Sequence, residues 1–170
     1  MRLTPNFKSS EFTVSWDYPK LARKIKLTET DTVKLFYICR LILQPARDDF
    51  HEDEFNVNSG KRIVELNTLI GGWKNSDHIF RGFSCAVDFT VEDREKLFGI
   101  YKFIHENCRF SIGECILYLD ATWQPIFIHV SLPTKRYWQR FRYSYNDGKL
   151  FGPIGDLPGW VIDEIFRKRR

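Results

Sequence analysis

Two short alternating runs in the second half of the chain constrain its fold most. Residues Glu114 to Leu119 and Ile126 to Leu132 alternate in polarity and are separated by the turn-forming stretch Asp120–Pro125. Strands this short and this close in sequence pair as an antiparallel hairpin. A second hairpin is predicted around Asn146–Gly148, whose Asn-Asp-Gly sequence favours a tight turn. Part of the fold is therefore predicted to be a small antiparallel sheet.

Helical periodicity surrounds these strands. A helix over about residues 31–43 has apolar side chains on both sides, which predicts a central, buried helix that ends at Gln44–Pro45. Further helices are predicted over 61–70 and over 90–107, the latter capped by Thr90. Two more strands are predicted over residues 54–58 and 85–89. This mixture predicts an α+β fold, a small antiparallel sheet flanked by helices.

Composition limits the class of protein. A chain of 170 residues with 43% hydrophobic content can form one domain with a real core. The net charge of +4 favours anionic partners only mildly. No apolar run reaches the length of a membrane span, and no signal-peptide pattern is visible, so we expect synthesis in the cytoplasm. The four cysteines, one of them Cys85, form no CxxC pair, and the three that lie among apolar residues are predicted to be buried free thiols: Cys39, Cys108 and Cys115.

Two of the four histidines and one aspartate are placed as metal ligands would be. His78 lies in a predicted loop, Asp88 at a strand end, and His129 on a strand where it alternates with Phe127 and Ser131. Three protein ligands that leave one position open are typical of catalytic zinc sites. Such a spread of ligands over fifty residues is a weak signal unless its surroundings support it.

Five segments, in the same order along the chain, carry a family resemblance. They are Leu3–Phe12, Leu43–Asp48, Asn58–Arg62, Ser76–Asp88 and Ile128–Ser131. They contain Asn-Phe followed by Glu-Phe, Leu-Gln-Pro-x-Arg, Ser-Gly-x-Arg, Ser-x-His with Ala-x-Asp, and Ile-His-Val-Ser. Together they resemble the zinc-dependent D-alanyl-D-alanine carboxypeptidases and related peptidoglycan peptidases, including phage endolysins.

The resemblance implies zinc on His78, Asp88 and His129, at the edge of the sheet. It implies that Arg62 grips a substrate carboxylate, for which a planar bidentate donor is suited, and that Ser76 gives polar support. The matching domain would span residues 3–135, with a basic and aromatic extension over 136–170 packed on the same domain.

The implied activity is zinc-dependent hydrolysis of peptidoglycan stem peptides, by a carboxypeptidase or an endopeptidase. The implied setting is phage-mediated lysis, in which the enzyme is made without a signal peptide and acts on the cell wall in the host periplasm. Nucleic acid is not favoured as a partner, and the sequence does not specify an oligomeric state.

Two departures from the family pattern affect the site. The spacing from His78 to Asp88 is three residues longer, and Ile126 stands where many members carry an acidic general base. Glu114 and Asp120 are candidate substitutes, and Glu114 is favoured. A four-residue loop after Leu119 would place Glu114 opposite His129.

Other roles and interpretations stay open at this point. Tyr118, on the same strand face as Glu114, could instead orient or polarise the peptide carbonyl. The segment Lys135–Tyr143 interleaves cations with aromatic rings, which suits either an edge strand with outward charges or a binding surface. The alternative function is therefore a non-catalytic descendant that binds cell wall or nucleic acid, with the missing acid at Ile126 as its main support.

Overall fold

A computed structural model describes residues 1–51 and 54–166. The helices are α1 Pro19–Ala22, α2 Glu29–Ile38, α3 Gln44–Asp49, α4 Val64–Leu69, α5 Lys96–Asn107 and α6 Gly159–Phe166. The strands are β1 Asn56–Ser59, β2 Ala86–Thr90, β3 Glu114–Leu119, β4 Pro125–Ser131, β5 Arg140–Tyr145 and β6 Leu150–Pro153. The predicted α+β fold is confirmed.

The six strands form one sheet in the order β1-β2-β4-β3-β5-β6. Every neighbouring pair is antiparallel except β3 and β5, which run parallel. Both predicted hairpins are present, β3–β4 and β5–β6, and the second turns through Asn146, Asp147 and Gly148, all with positive φ. Only glycine, asparagine and aspartate adopt that conformation readily.

The two faces of the sheet differ in chemistry. One face is apolar, and its central residues are at most 1% exposed: Val87, Phe89, Cys115, Leu117, Leu119, Ile128 and Val130. They share one hydrophobic core with side chains of α2, α5 and α6. Because side chains alternate along a strand, Asp88, Glu114 and His129 lie on the opposite face. The fold thus separates a hydrophobic side from a polar side that carries the predicted site.

Helix α2 differs from its prediction in two respects. It is not buried all round: Leu35 and Ile38 are fully buried, but Phe36 and Tyr37 on the opposite side are 43% and 51% exposed. Nor does the helical path end at Pro45. A π-helical turn over Cys39–Leu43 leads directly into α3, so that the missing N–H of the proline is accommodated by a widened turn.

The start of α5 was also predicted wrongly. Thr90 is the last residue of β2, and its hydroxyl donates to the carbonyl of Ile126 at 2.9 Å. It therefore ties β2 to β4 and does not cap a helix. The helix begins at Lys96, after a bend and turn over residues 92–95.

The described residues after 135 pack on the same sheet and core as the rest of the chain. Strand β5 extends the sheet beyond β3, and the core includes Tyr143, Leu157, Val161 and Ile165. Helix α6 extends to Phe166, and residues 167–170 of the basic C-terminal stretch lie outside the described residues. In the described ranges, no helix combines the length and apolarity needed to cross a membrane. All four cysteines are buried and free, which confirms the prediction for Cys39, Cys108 and Cys115.

Candidate metal centre

Three potential ligand atoms converge on the polar face of the sheet. Asp88 Oδ1 lies 3.1 Å from His78 Nε2 and 2.7 Å from His129 Nδ1, and the two nitrogens are 3.3 Å apart. In a tetrahedral zinc site with bonds of about 2.0–2.1 Å, ligand atoms stand about 3.3 Å apart. The triangle therefore has nearly the size of one face of a zinc tetrahedron, and these residues can hold a metal ion.

Strand pairing places two of the ligands side by side. Asp88 of β2 is directly opposite His129 of β4 in the antiparallel register. Both strands are internal to the sheet, so the site lies on the sheet face and the prediction of a site at the sheet edge is wrong. Strand β1 flanks β2 and strand β3 flanks β4, and the two edge strands of the sheet are β1 and β6.

His78 reaches the sheet from a short 3₁₀ turn over Asp77–Ile79. Ser76 caps this turn, since its hydroxyl accepts from the backbone N–H of His78 at 3.3 Å. The backbone N–H of Arg62 donates to the carbonyl of His78 at 2.7 Å. The predicted polar support from Ser76 is thus local capping, and the loop is tied to the segment that carries Arg62.

A backbone carbonyl fixes the tautomer of His78. Its Nδ1 lies 2.8 Å from the carbonyl oxygen of Gly60, which can only accept a hydrogen bond. Nδ1 must then carry the proton, and the lone pair of Nε2 points toward Asp88 and His129. A ligating histidine held by a backbone carbonyl through its other nitrogen is the usual arrangement in metal sites.

The charges of the ligands suit a cation. Burial alone would raise the pKa of Asp88, but the adjacent His78 and His129 imidazoles hold that pKa well below its usual range. Burial lowers the pKa of His78, against the opposing pull of Asp88. Near neutral pH the site therefore presents a carboxylate and a neutral His78 imidazole, the protonation states that metal binding requires.

Arg62 is engaged with a ligand. Its Nη2 donates to Asp88 Oδ2 at 2.7 Å, and its Nε donates to the Ser59 hydroxyl at 2.8 Å. The guanidinium thus holds the oxygen of Asp88 that faces away from the two imidazoles, and so orients the other oxygen. These contacts make Arg62 a positioning residue, whereas its grip on a substrate carboxylate stays a prediction.

Glu114 lies on the same sheet face as the ligands, but in a different register from the predicted one. Ile116 is the residue opposite His129, so Glu114 is displaced by two positions and lies diagonally from His129. A two-residue shift keeps the side chain on the same face, where diagonal neighbours are about 7–8 Å apart. The hairpin connection is longer than the predicted four residues, because Leu119 pairs with Pro125.

One carboxylate oxygen of Glu114 is buried without a hydrogen-bond partner. Glu114 Oε1 lies 3.6 Å from Arg142 and 3.7 Å from Arg140, beyond hydrogen-bond distance, while the Glu114 backbone N–H donates to the hydroxyl of Ser131. A buried acceptor without a donor is costly and calls for an explanation. Glu114 Oε1 therefore has two guanidinium groups within ion-pair distance but no hydrogen-bond donor, on the same sheet face as the ligand triangle.

The remaining candidates near the site have distinct surroundings. Tyr118 stacks on Phe127 with ring centroids 4.1 Å apart, and burial raises the pKa of its hydroxyl, which stays protonated and can donate. Asp120 forms the hairpin turn, where one carboxylate oxygen accepts from Thr122 and Gln124. This turn role makes Asp120 a poor general base.

Ile126, at the position where many family members carry an acidic general base, lies on the sheet face away from the metal ligands. By the alternation of β4, Ile126 shares the face of Ile128 and Val130, opposite to that of His129. An acid at this position of this strand would point away from the ligands.

Sequence reasoning missed two residues that shape the site. Lys34 is a buried lysine of α2 whose Nζ donates to the carbonyl of Phe80 at 2.7 Å, and Phe80 has the left-handed φ of 58° directly after the His78 turn. This anchor shows how the longer segment before Asp88 is held while the ligands still meet. The only sequence signal was a cation within an apolar helical run.

Asp77 is the second missed residue. Burial raises the pKa of its carboxyl, which lies in the electrostatic field of His129, Glu114 and Arg136. The only indication in the sequence was that Asp77 directly precedes His78. A second carboxyl group therefore stands near the ligand triangle.

No protein-family model matches the chain, and no curated protein matches it. The family resemblance drawn from the five segments is therefore carried by those segments alone.

Proposed function

We propose that this protein is a zinc-dependent peptidase that hydrolyses peptidoglycan stem peptides near D-alanine. The observation that carries the proposal is the triangle of His78, Asp88 and His129, with its donor atoms 2.7–3.3 Å apart and the tautomer of His78 fixed. The two imidazoles and one carboxylate suit zinc among the common metals. The substrate class follows from the family resemblance of the five segments.

The arrangement of the ligand atoms of His78, Asp88 and His129 also favours a bound cation. Two ring nitrogens and a carboxylate oxygen lie within 3.3 Å of one another on the polar face of the sheet, close enough to bind one cation together. Bound zinc supplies Lewis acidity and makes water nucleophilic near neutral pH. Arg62 keeps Asp88 aligned, and Gly60 keeps the proton of His78 on Nδ1.

Glu114 is the residue proposed to move the proton. Its Oε1, which accepts no hydrogen bond within the protein, takes a proton from the attacking water, whose oxygen bonds to the peptide carbonyl carbon. The C–N bond then breaks, and Glu114 returns the proton to the leaving amine, which regenerates the Glu114 carboxylate. Tyr118, protonated and on the same sheet face, donates a hydrogen bond to the carbonyl oxygen as charge develops there.

The experiment combines metal content with turnover. Purified protein is assayed for bound zinc by elemental analysis and for release of D-alanine from a peptide ending in D-Ala-D-Ala. We expect one zinc per chain and a turnover that Glu114→Gln lowers at least about 100-fold while zinc is retained, as expected for loss of a general base. Glu92→Gln, at an exposed glutamate, is the matched control and should change neither quantity.

Two results would contradict the proposal. Protein that binds no zinc lacks the centre altogether. Protein that binds zinc stoichiometrically but releases no D-alanine has the centre without the proposed reaction, and then the non-catalytic binding function is favoured.

A further inference from the structure

Two loops, one before β2 and one after β4, form the walls of a groove. Its volume is about 760 Å³. One wall runs from Asn75 through Ser84, and the other from Pro133 through Trp138. The first wall contains Ser76 and Asp77, directly before the ligand His78, and the second begins four residues after His129. The groove therefore lies between the loop that carries His78 and the loop that follows β4, although none of the three ligands lines it.

The walls present three exposed cations. Arg81, Lys135 and Arg136 all line the groove and are exposed. Among the described residues, none of these three makes an ion pair within 4.0 Å. Within the described part of the chain, the only carboxylate in the lining is that of Asp77, so positive charge predominates.

Two large aromatic side chains at the rim are unusually accessible. Phe83 is 87% exposed and Trp138 is 68% exposed, one on each wall. Exposed aromatic rings that face a groove are typical of binding surfaces, where they pack against apolar or planar parts of a ligand. The first of these rings belongs to the segment that lengthens the His78–Asp88 spacing.

We propose that this groove binds an extended acidic peptide, with a carboxylate held by Arg81 and Arg136 and its backbone packed against Phe83 and Trp138. The inference deepens the proposed function, on which it rests: it assigns selectivity for stem peptides whose internal glutamyl carboxylate is free. Peptides in which that carboxylate is a carboxamide are bound more weakly, because the amide forms no charge-assisted hydrogen bond with a guanidinium.

Binding is measured separately from hydrolysis, on the full chain. Two synthetic pentapeptides ending in D-Ala-D-Ala, identical except for a carboxylate or a carboxamide on the internal γ-glutamyl residue, are titrated into Glu114→Gln protein, which does not consume them. Tryptophan fluorescence reports occupancy, and Trp138→Phe tests whether the signal arises in the groove. We expect about tenfold tighter binding of the acid than of the amide at low salt, with a ratio that declines as salt is added.

Charge variants test the assignment to the groove. The double variant R81Q/R136Q should bring the ratio of the two dissociation constants to near one, whereas R109Q/K149Q, at exposed cations outside the lining, should leave it unchanged. All four positions are exposed, and thermal unfolding verifies that each variant is folded.

The outcomes separate this inference from the peptidase proposal. Equal affinity for the two peptides, or a preference that survives R81Q/R136Q, overturns the groove assignment even if wild-type protein hydrolyses both. A preference that depends on the two arginines supports the groove even in protein without turnover. Tighter binding of a single-stranded oligonucleotide of equal charge than of the acidic peptide would also overturn it.

Discussion

Replacing Gly60 with alanine is expected to disturb the fold and the metal centre together. A Cβ at this position would lie 2.5 Å from the carbonyl oxygen of Phe12 and 2.7 Å from its Cα and Cβ atoms. Phe12 is fully buried, so the backbone of residue 60 must move instead of a flexible side chain. The carbonyl of Gly60 is also the acceptor for His78 Nδ1, and any shift weakens that hydrogen bond.

The magnitudes follow from these two contacts. Overpacking of a buried position costs about 1–3 kcal/mol. For a domain of this size, each kcal/mol lowers Tm by about 2–4 °C. Loss of a hydrogen bond that orients a metal-ligating histidine typically weakens metal binding about 10–100-fold. We therefore expect Gly60→Ala to lower both the unfolding temperature of the metal-free protein and its zinc affinity.

The assay pairs thermal unfolding of the metal-free protein with a zinc titration against a chromophoric chelator. Gly155→Ala is the matched control, since a Cβ at Gly155 would meet nothing within 4 Å beyond its chain neighbours and the φ of this glycine is not positive. This control should change Tm by no more than about 2 °C and leave zinc affinity unaltered. If folded Gly60→Ala protein binds zinc as tightly as wild type, the Gly60 carbonyl does not hold the proton of His78, and the reasoning fails.

Three further predictions concern the groups around the ligands. Lys34→Met should lower the unfolding free energy by about 1.5–3 kcal/mol in urea titrations, because the carbonyl of Phe80 loses a charged donor; an unchanged value would refute the anchor. Arg62→Lys should weaken zinc binding about 10–100-fold, since lysine cannot bridge Asp88 and Ser59 as a planar fork does, and retained affinity would show that Asp88 needs no orientation. In the metal-free protein, stability should fall as pH is lowered from 7 through about 6.5 and below. The folded state holds the pKa of His78 below its unfolded value of about 6.5, so the unfolded chain binds more protons there. Urea titrations at pH 7.5 and 5.5 test this, and His78→Gln should reduce the pH dependence.

The sequence carried enough information for the sheet hairpins and the ligand set. Alternation placed β3 and β4, and the Asn-Asp-Gly turn placed the β5–β6 hairpin, since local backbone preferences determine such features. The convergence of His78, Asp88 and His129 was predicted from the motif order, and the structure confirms that the three can hold a metal ion.

Other features depended on tertiary context and were not predictable from local pattern. Pro45 does not end the helical path because it follows a π turn, in which the N–H of Gln44 donates to the carbonyl of Cys39 and the widened turn accommodates the proline. The site lies on the sheet face because β1 pairs with β2 on one side and β3 pairs with β4 on the other, so that both ligand-bearing strands are internal. The register of Glu114 was wrong by two residues because hairpin length depends on an irregularity at Tyr118 and Leu119 that the sequence does not display.

X-ray absorption at the zinc edge of the metal-loaded protein tests the central claim most directly. Zinc–nitrogen and zinc–oxygen bonds of about 2.0–2.2 Å are distinguished from zinc–sulfur bonds of about 2.3 Å. We expect one zinc per chain in a four-coordinate shell of nitrogen and oxygen only, with two imidazoles, and loss of that shell in His129→Ala. A sulfur contribution from the cysteines, or zinc that remains equally bound in His129→Ala, would contradict a centre built from His78, Asp88 and His129.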